Sequence, residues 1–103
     1  MSTSDKISQL IDEAAEKTEG LRALGRVIGV NPSSLIEMRQ GKRPANWRVR
    51  GKLRAVLGED PAHAFMAAMA EDLAASDNED EKKAASSFEA MLAAFADQRW
   101  RKR

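Results

Sequence analysis

The sequence contains no cysteine. Disulfides, thiolate metal sites and cysteine nucleophiles are therefore excluded. Tyrosine is absent too, and there is one histidine, His63. A His-based metal site or a Ser-His-Asp triad would have to rest on that single ring, and no partner ligand has metal-site spacing with it. With no paired-carboxylate pocket to assemble either, the sequence predicts no enzyme, no bound metal and no cofactor. Long apolar runs are missing: none exceeds the seven residues of 64–70, far short of the roughly 20 that span a bilayer. β-branched residues are sparse and never alternate over a long run, so strands are not expected. The opening Met1-Ser2-Thr3-Ser4-Asp5 has no basic region followed by an apolar one. No signal peptide is read there, and the expected location is cytoplasmic, with no membrane partner.

What is present is a 103-residue chain with 43% hydrophobic and 32% charged residues. That is a globular composition, and the length suits one domain or one domain with an appendage. The net charge of +1 conceals a segregation along the chain. Residues 1–20 carry −3, 21–58 carry +8, 59–98 carry −8 and the last five carry +4. A basic block of that density is the footprint of a polyanion-binding surface. The alternative is a solvated helical face whose charges balance in space.

Glycine and proline punctuate a helical pattern. A first helix is expected over about 5–17, capped by Ser4, with Ile7, Leu10, Ile11 and Ala14 on one apolar face. A second is expected over about 20–28 with Leu21, Leu24, Val27 and Ile28 inward, stopped by Gly29. Asn31-Pro32 starts a third over 32–40, with Leu35 and Met38 inward and Gly41 at its end. Asn46 caps a fourth, 47–57, carrying Trp47, Val49, Leu53, Val56 and Leu57. Asp60-Pro61 starts a fifth to about 75, with Phe65, Met66, Met69 and Leu73 on one face. An acidic linker, 76–82, precedes a last helix, about 83–100, carrying Phe88, Met91, Leu92, Phe95 and Trp100. The expected architecture is all-α: a five-helix domain over 1–75, then the linker, then a C-terminal amphipathic helix with a basic tail to residue 103.

The segment 21–40 is the most informative. Two short helices crossing steeply through a tight turn make fixed demands. They need a large apolar residue followed by a small one at the crossing, which Leu24 and Gly25 supply. They need an apolar residue before the turn, Ile28, a residue tolerant of positive φ, Gly29, and an apolar plug, Val30. The second helix must point two apolar residues back, and Leu35 and Met38 do so. All seven demands are met. The stretch from Leu21 to Arg43 resembles the helix-turn-helix of phage repressor and Cro-type regulators. In that family the second helix is followed by Gly-Lys-Arg, as Gly41-Lys42-Arg43 is here, and by a helix ending in Leu-Gly, as Leu57-Gly58 does. The tail from Glu59-Asp60-Pro61 is similar to small repressors of filamentous and other phages. The resemblance covers roughly 5–75. Two positions depart from the pattern: Gly25, where Ala is usual, and Pro32, where many relatives carry a DNA-contacting Gln.

The resemblance implies a sequence-specific, dimeric DNA-binding repressor of phage or prophage type, associated with the nucleoid, whose partner is a double-stranded operator. Its recognition helix, 32–40, would meet base edges through Asn31, Ser33, Ser34, Ile36, Glu37 and Gln40. Gln40 suits adenine, Glu37 suits cytosine N4 and Ile36 suits a thymine methyl. The alternative for Glu37 is a pair with Arg39, and for Asn31 and Ser33 it is helix capping alone. Phosphate contacts are expected from Arg22, Arg26, Arg39, Lys42, Arg43, Asn46, Arg48 and Arg50, each of which has a solvated surface role as its alternative.

Trp47 is read as core or rim packing, His63 as a surface or satisfied histidine, and the acidic run 77–81 as solvated linker. Phe65, Met69, Leu73, Phe88, Met91, Leu92 and Phe95 are the expected dimer interface, with an intramolecular cap on the core as the alternative. The terminal Arg99-Trp100-Arg101-Lys102-Arg103 is either a second DNA contact or a solubilising end. Two competing functions remain. One is an antitoxin-type autorepressor whose C-terminal helix binds a protein partner. The other is a helical interaction module without specific DNA binding.

Overall fold

A computed structural model describes residues 3–94 of the chain. Phe95, Trp100 and the basic tail lie outside the described residues. Those residues form six helices and no strand: α1 (Thr3–Thr18), α2 (Leu21–Ile28), α3 (Pro32–Arg39), α4 (Trp47–Val56), α5 (Pro61–Ala74) and α6 (Glu79–Ala94). The chain divides into two compact units, Met1–Ala45 and Asn46–Arg103. The division falls inside the stretch 1–75 that the sequence reading treats as one domain.

In the first unit α1, α2 and α3 pack on one another. Ile7, Ile11 and Ala14 of α1, Leu24 and Ile28 of α2, and Leu35 and Met38 of α3 are buried. α1 runs through Ser4, the expected cap. It ends where Glu19 takes φ 70° and Gly20 φ 129°, and the Gly20 N–H donates back to the Ala15 carbonyl at 2.7 Å. Val27, expected inward, is 64% exposed. The buried stripe of α2 is Leu24, Gly25 and Ile28, with Leu21 half-buried beside it. At about 100° per residue, Val27 lies roughly 110° round the helix from the centre of that stripe.

In the second unit α4 packs on α5, and α5 on α6. Capping is regular: Asn46 accepts from the Val49 N–H at 3.0 Å and Asp60 from the His63 N–H at 3.2 Å. The sequence places the large side chains of α5 inward, but its fully covered residues are Ala64, Ala68 and Ala70. Phe65, Met66, Met69 and Leu73 are half-buried. A helix packed on two neighbours approaches them most closely through its small residues. Gly51 plays the same part on α4: a Cβ there would run into the Phe65 ring. Phe65 also meets Trp47 edge-on, with centroids 6.0 Å apart and planes at 84°.

The expected linker, 76–82, is shorter than the sequence suggests. α6 begins at Glu79, four residues ahead of the expected start. Asn78 accepts a hydrogen bond from the Glu81 N–H at 2.9 Å. Glu79, Asp80 and Glu81 fill the first turn, where the positive end of the helix dipole favours carboxylates. The acidic run that reads as solvated linker is thus in large part a helix start.

Candidate nucleic-acid interface

The candidate interface is built on the turn between α2 and α3. Gly29 adopts φ 73° and ends α2. The Val30 N–H donates to the Gly25 carbonyl at 2.9 Å, so the chain folds back over Gly25. Asn31, in extended backbone, starts α3: its Oδ1 accepts from the Ser33 N–H at 2.9 Å and from the Ser33 hydroxyl at 2.8 Å. Pro32 occupies the first helical position, where no N–H is needed. Leu35 and Met38 face the core. Ser33, Ile36, Glu37 and Gln40 then fall at i, i+3, i+4 and i+7 and form one outward stripe. Ser34 is half-buried at its flank.

α3 ends in a reversal that organises its basic flank. Gly41 takes φ 79°, and the Lys42 N–H donates to the Glu37 carbonyl at 2.9 Å, a pattern that satisfies the last helical carbonyls. The reversal brings Arg43 back alongside the helix, and its Nε donates to Glu37 Oε1 at 2.8 Å. The sequence alternative for Glu37 is a pair with Arg39. Arg39 instead reaches Asp12 on α1 at 3.3 Å. Pairs 6 and 27 residues apart have no local sequence signature, and Asp12 does not figure among the expected site residues.

The expected phosphate contacts are shared between the two units. In the first, Arg22, Arg26 and Lys42 are exposed and form no ion pair among the described residues. Arg39 and Arg43 are held by Asp12 and Glu37. In the second unit Asn46 is occupied as a cap, and the Arg48 guanidinium stacks 4.7 Å from the Trp47 ring centroid. Arg50 is held within the unit: its side chain is 12% exposed and bonds Glu71 at 3.2 Å and Asp72 at 2.8 Å. It also donates to the Ala68 carbonyl at 2.8 Å. A guanidinium so engaged ties α4 to α5, and using it for a phosphate would break three bonds.

Arg54 forms a two-point pair with Glu59, at 2.9 and 3.1 Å, and approaches Glu71 at 3.4 Å. His63 Nδ1 lies 2.7 Å from Glu59 Oε2. Burial pushes the Glu59 carboxyl up, but hydrogen bonds from Arg54 and His63 and the charge of both outweigh it and hold it below its ordinary value. Of the expected dimer residues, Phe65, Met69, Leu73, Phe88 and Leu92 are half-buried within the one chain, while Met91 is 44% exposed. Among the described residues no helix is long and apolar enough to cross a membrane, and no cluster of three or more His, Asp or Glu is placed to hold a metal ion.

The described residues thus define an all-helical protein. No protein-family model, curated protein or solved structure matches the chain.

Proposed function

We propose that this chain is a sequence-specific DNA-binding regulator, a repressor of phage or prophage type, that lays α3 in the major groove of a double-stranded operator and acts as a dimer. The observation that carries the reading is the pair of eight-residue helices α2 and α3. A three-residue turn closed over Gly25 joins them and leaves the stripe Ser33, Ile36, Glu37 and Gln40 outward. The same unit carries exposed cations: Arg22 and Arg26 on α2, and Lys42 just past α3. Side chains on such a stripe meet base edges, and cations beside it meet phosphates. Arg50 is left out of the phosphate set, because α5 holds it.

One such motif reads only a few base pairs, and a dimer sets two recognition helices about 34–36 Å apart along the duplex. The second copy is expected on the α6 side, where Met91 is 44% exposed. Repression then follows from occlusion of a promoter.

The test is selection of duplexes from a random library, followed by anisotropy titrations of the selected site against random DNA across a salt series. The selected site should bind at least about 10³-fold more tightly. Lys42→Ala should weaken selected and random DNA alike and lower the salt slope by about 1. Equal binding to both DNAs would overturn the proposal.

A further inference from the structure

Resting on the DNA-binding reading, we infer that one operator position is specified by the 5-methyl group of a thymine, and that Ile36 is the residue that reads it. Polar readers on α3 are reduced by internal bonds. Asn31 Oδ1 already accepts two hydrogen bonds from Ser33, and Ser33 has donated its hydroxyl proton to that cap. Glu37 is engaged by Arg43 at 2.8 Å. Leu35 and Met38 are buried.

Ile36 lies on the outward stripe, 37% exposed, one turn past Ser33 and one turn before Gln40. An exposed β-branched apolar residue is not required there for helix stability, and Ile36 is not among the buried core residues of the first unit. In the major groove the thymine methyl is the one apolar group that an unmodified base pair presents. An isoleucine on the stripe can therefore prefer one base pair over the other three without making a hydrogen bond. Its readout differs in kind from that of Gln40, whose amide matches adenine N6 and N7.

The experiment uses the full chain and the selected duplex, with each thymine replaced singly by uracil, which removes only the methyl group. For the wild-type chain, uracil at one position per half-site should weaken binding by about fourfold, the value of one buried methylene-sized group. Ile36→Ala should bind thymine and uracil equally at that position and keep its preference at the others. Ile36→Val, which retains a branched apolar side chain, should restore part of the difference. Thermal melting of both variants checks that the unit is intact, as expected for an exposed helical position.

The inference fails if the chain binds its selected site specifically yet is indifferent to every uracil, or if Ile36→Ala keeps the uracil penalty. It also fails if the selected site contains no thymine. A chain that selects no sequence at all removes the DNA-binding reading and this inference together. That outcome is distinct from the other three.

Discussion

Gly25 and Val30 are joined across the α2–α3 turn by a 2.9 Å hydrogen bond from the Val30 N–H to the Gly25 carbonyl. The Val30 carbonyl oxygen lies 2.5 Å from where a Cβ on Gly25 would stand, with Pro32 ring carbons at 3.4 Å. Helix propensity alone favours alanine at this position by about 1 kcal/mol. The contact reverses the sign, because the obstructing atom is backbone and belongs to the turn itself. Gly25→Ala should therefore destabilise the chain by about 1–3 kcal/mol net, the range for overpacking a close contact. Chemical denaturation should show a lower midpoint with an unchanged slope.

Glu19 lies at the other end of the scale, as a position where the native residue is the strained one. It is the only non-glycine with positive φ among the described residues, at 70°. It also puts a carboxylate at the negative end of α1. Glycine carries no Cβ penalty in this conformation. Glu19→Gly should stabilise the chain by about 0.5–1 kcal/mol, read as a rise in Tm. Glu19→Ala should do much less, because it removes the charge and keeps the Cβ.

Both positions show how far the sequence is legible. Asn31-Pro32, Asn46 and Asp60-Pro61 announce helix starts, because caps and proline act on backbone groups one to three residues away. The core of the first unit follows from helical spacing, with Val27 the exception. What the sequence does not disclose is set by partners distant along the chain. Arg50 reads as a phosphate contact until Glu71, Asp72 and the Ala68 carbonyl converge on it. Phe65, expected at a dimer interface, also packs within its own unit, edge-on to Trp47 and over Gly51. In the candidate interface, the outward stripe is legible from the period of α3. The pairing of Glu37 with Arg43 and not Arg39 depends on the Gly41 reversal.

The Glu59 carboxylate gives the second unit an acid limb. Its pKa is depressed in the folded chain because Arg54 and His63 outweigh the effect of burial. A carboxylate with a lowered folded pKa contributes stability above its unfolded value, about 4.3. That contribution is lost as pH falls through the folded value. Stability should thus be steady from pH 7 to about 5 on this account and decline below. Glu59→Gln should be less stable than wild type at pH 7, and the gap should close as the pH drops through the carboxylate range. A gap of constant size across that range would show that the Arg54 and His63 bonds do not act through the charge.

The Glu37–Arg43 pair bears on how the chain treats DNA in general. Arg43 carries a charge suited to a phosphate, yet Glu37 occupies it at 2.8 Å. Both side chains are about half exposed, so the pair itself adds about 0–1 kcal/mol to stability. Its larger effect falls on binding, because a phosphate must displace a carboxylate before Arg43 can contribute to the counterion-release term. Glu37→Gln keeps the shape and removes the competing charge. Affinity for random DNA should rise by several-fold at low salt, and the dependence of log K on log salt should steepen by up to about one ion. The melting temperature should barely change. Arg43→Ala in the same background should cancel the gain, which separates release of Arg43 from the simple loss of a negative charge near the groove. If the gain survives Arg43→Ala, Glu37 acts by general repulsion and the pair has no part in restraining non-specific binding.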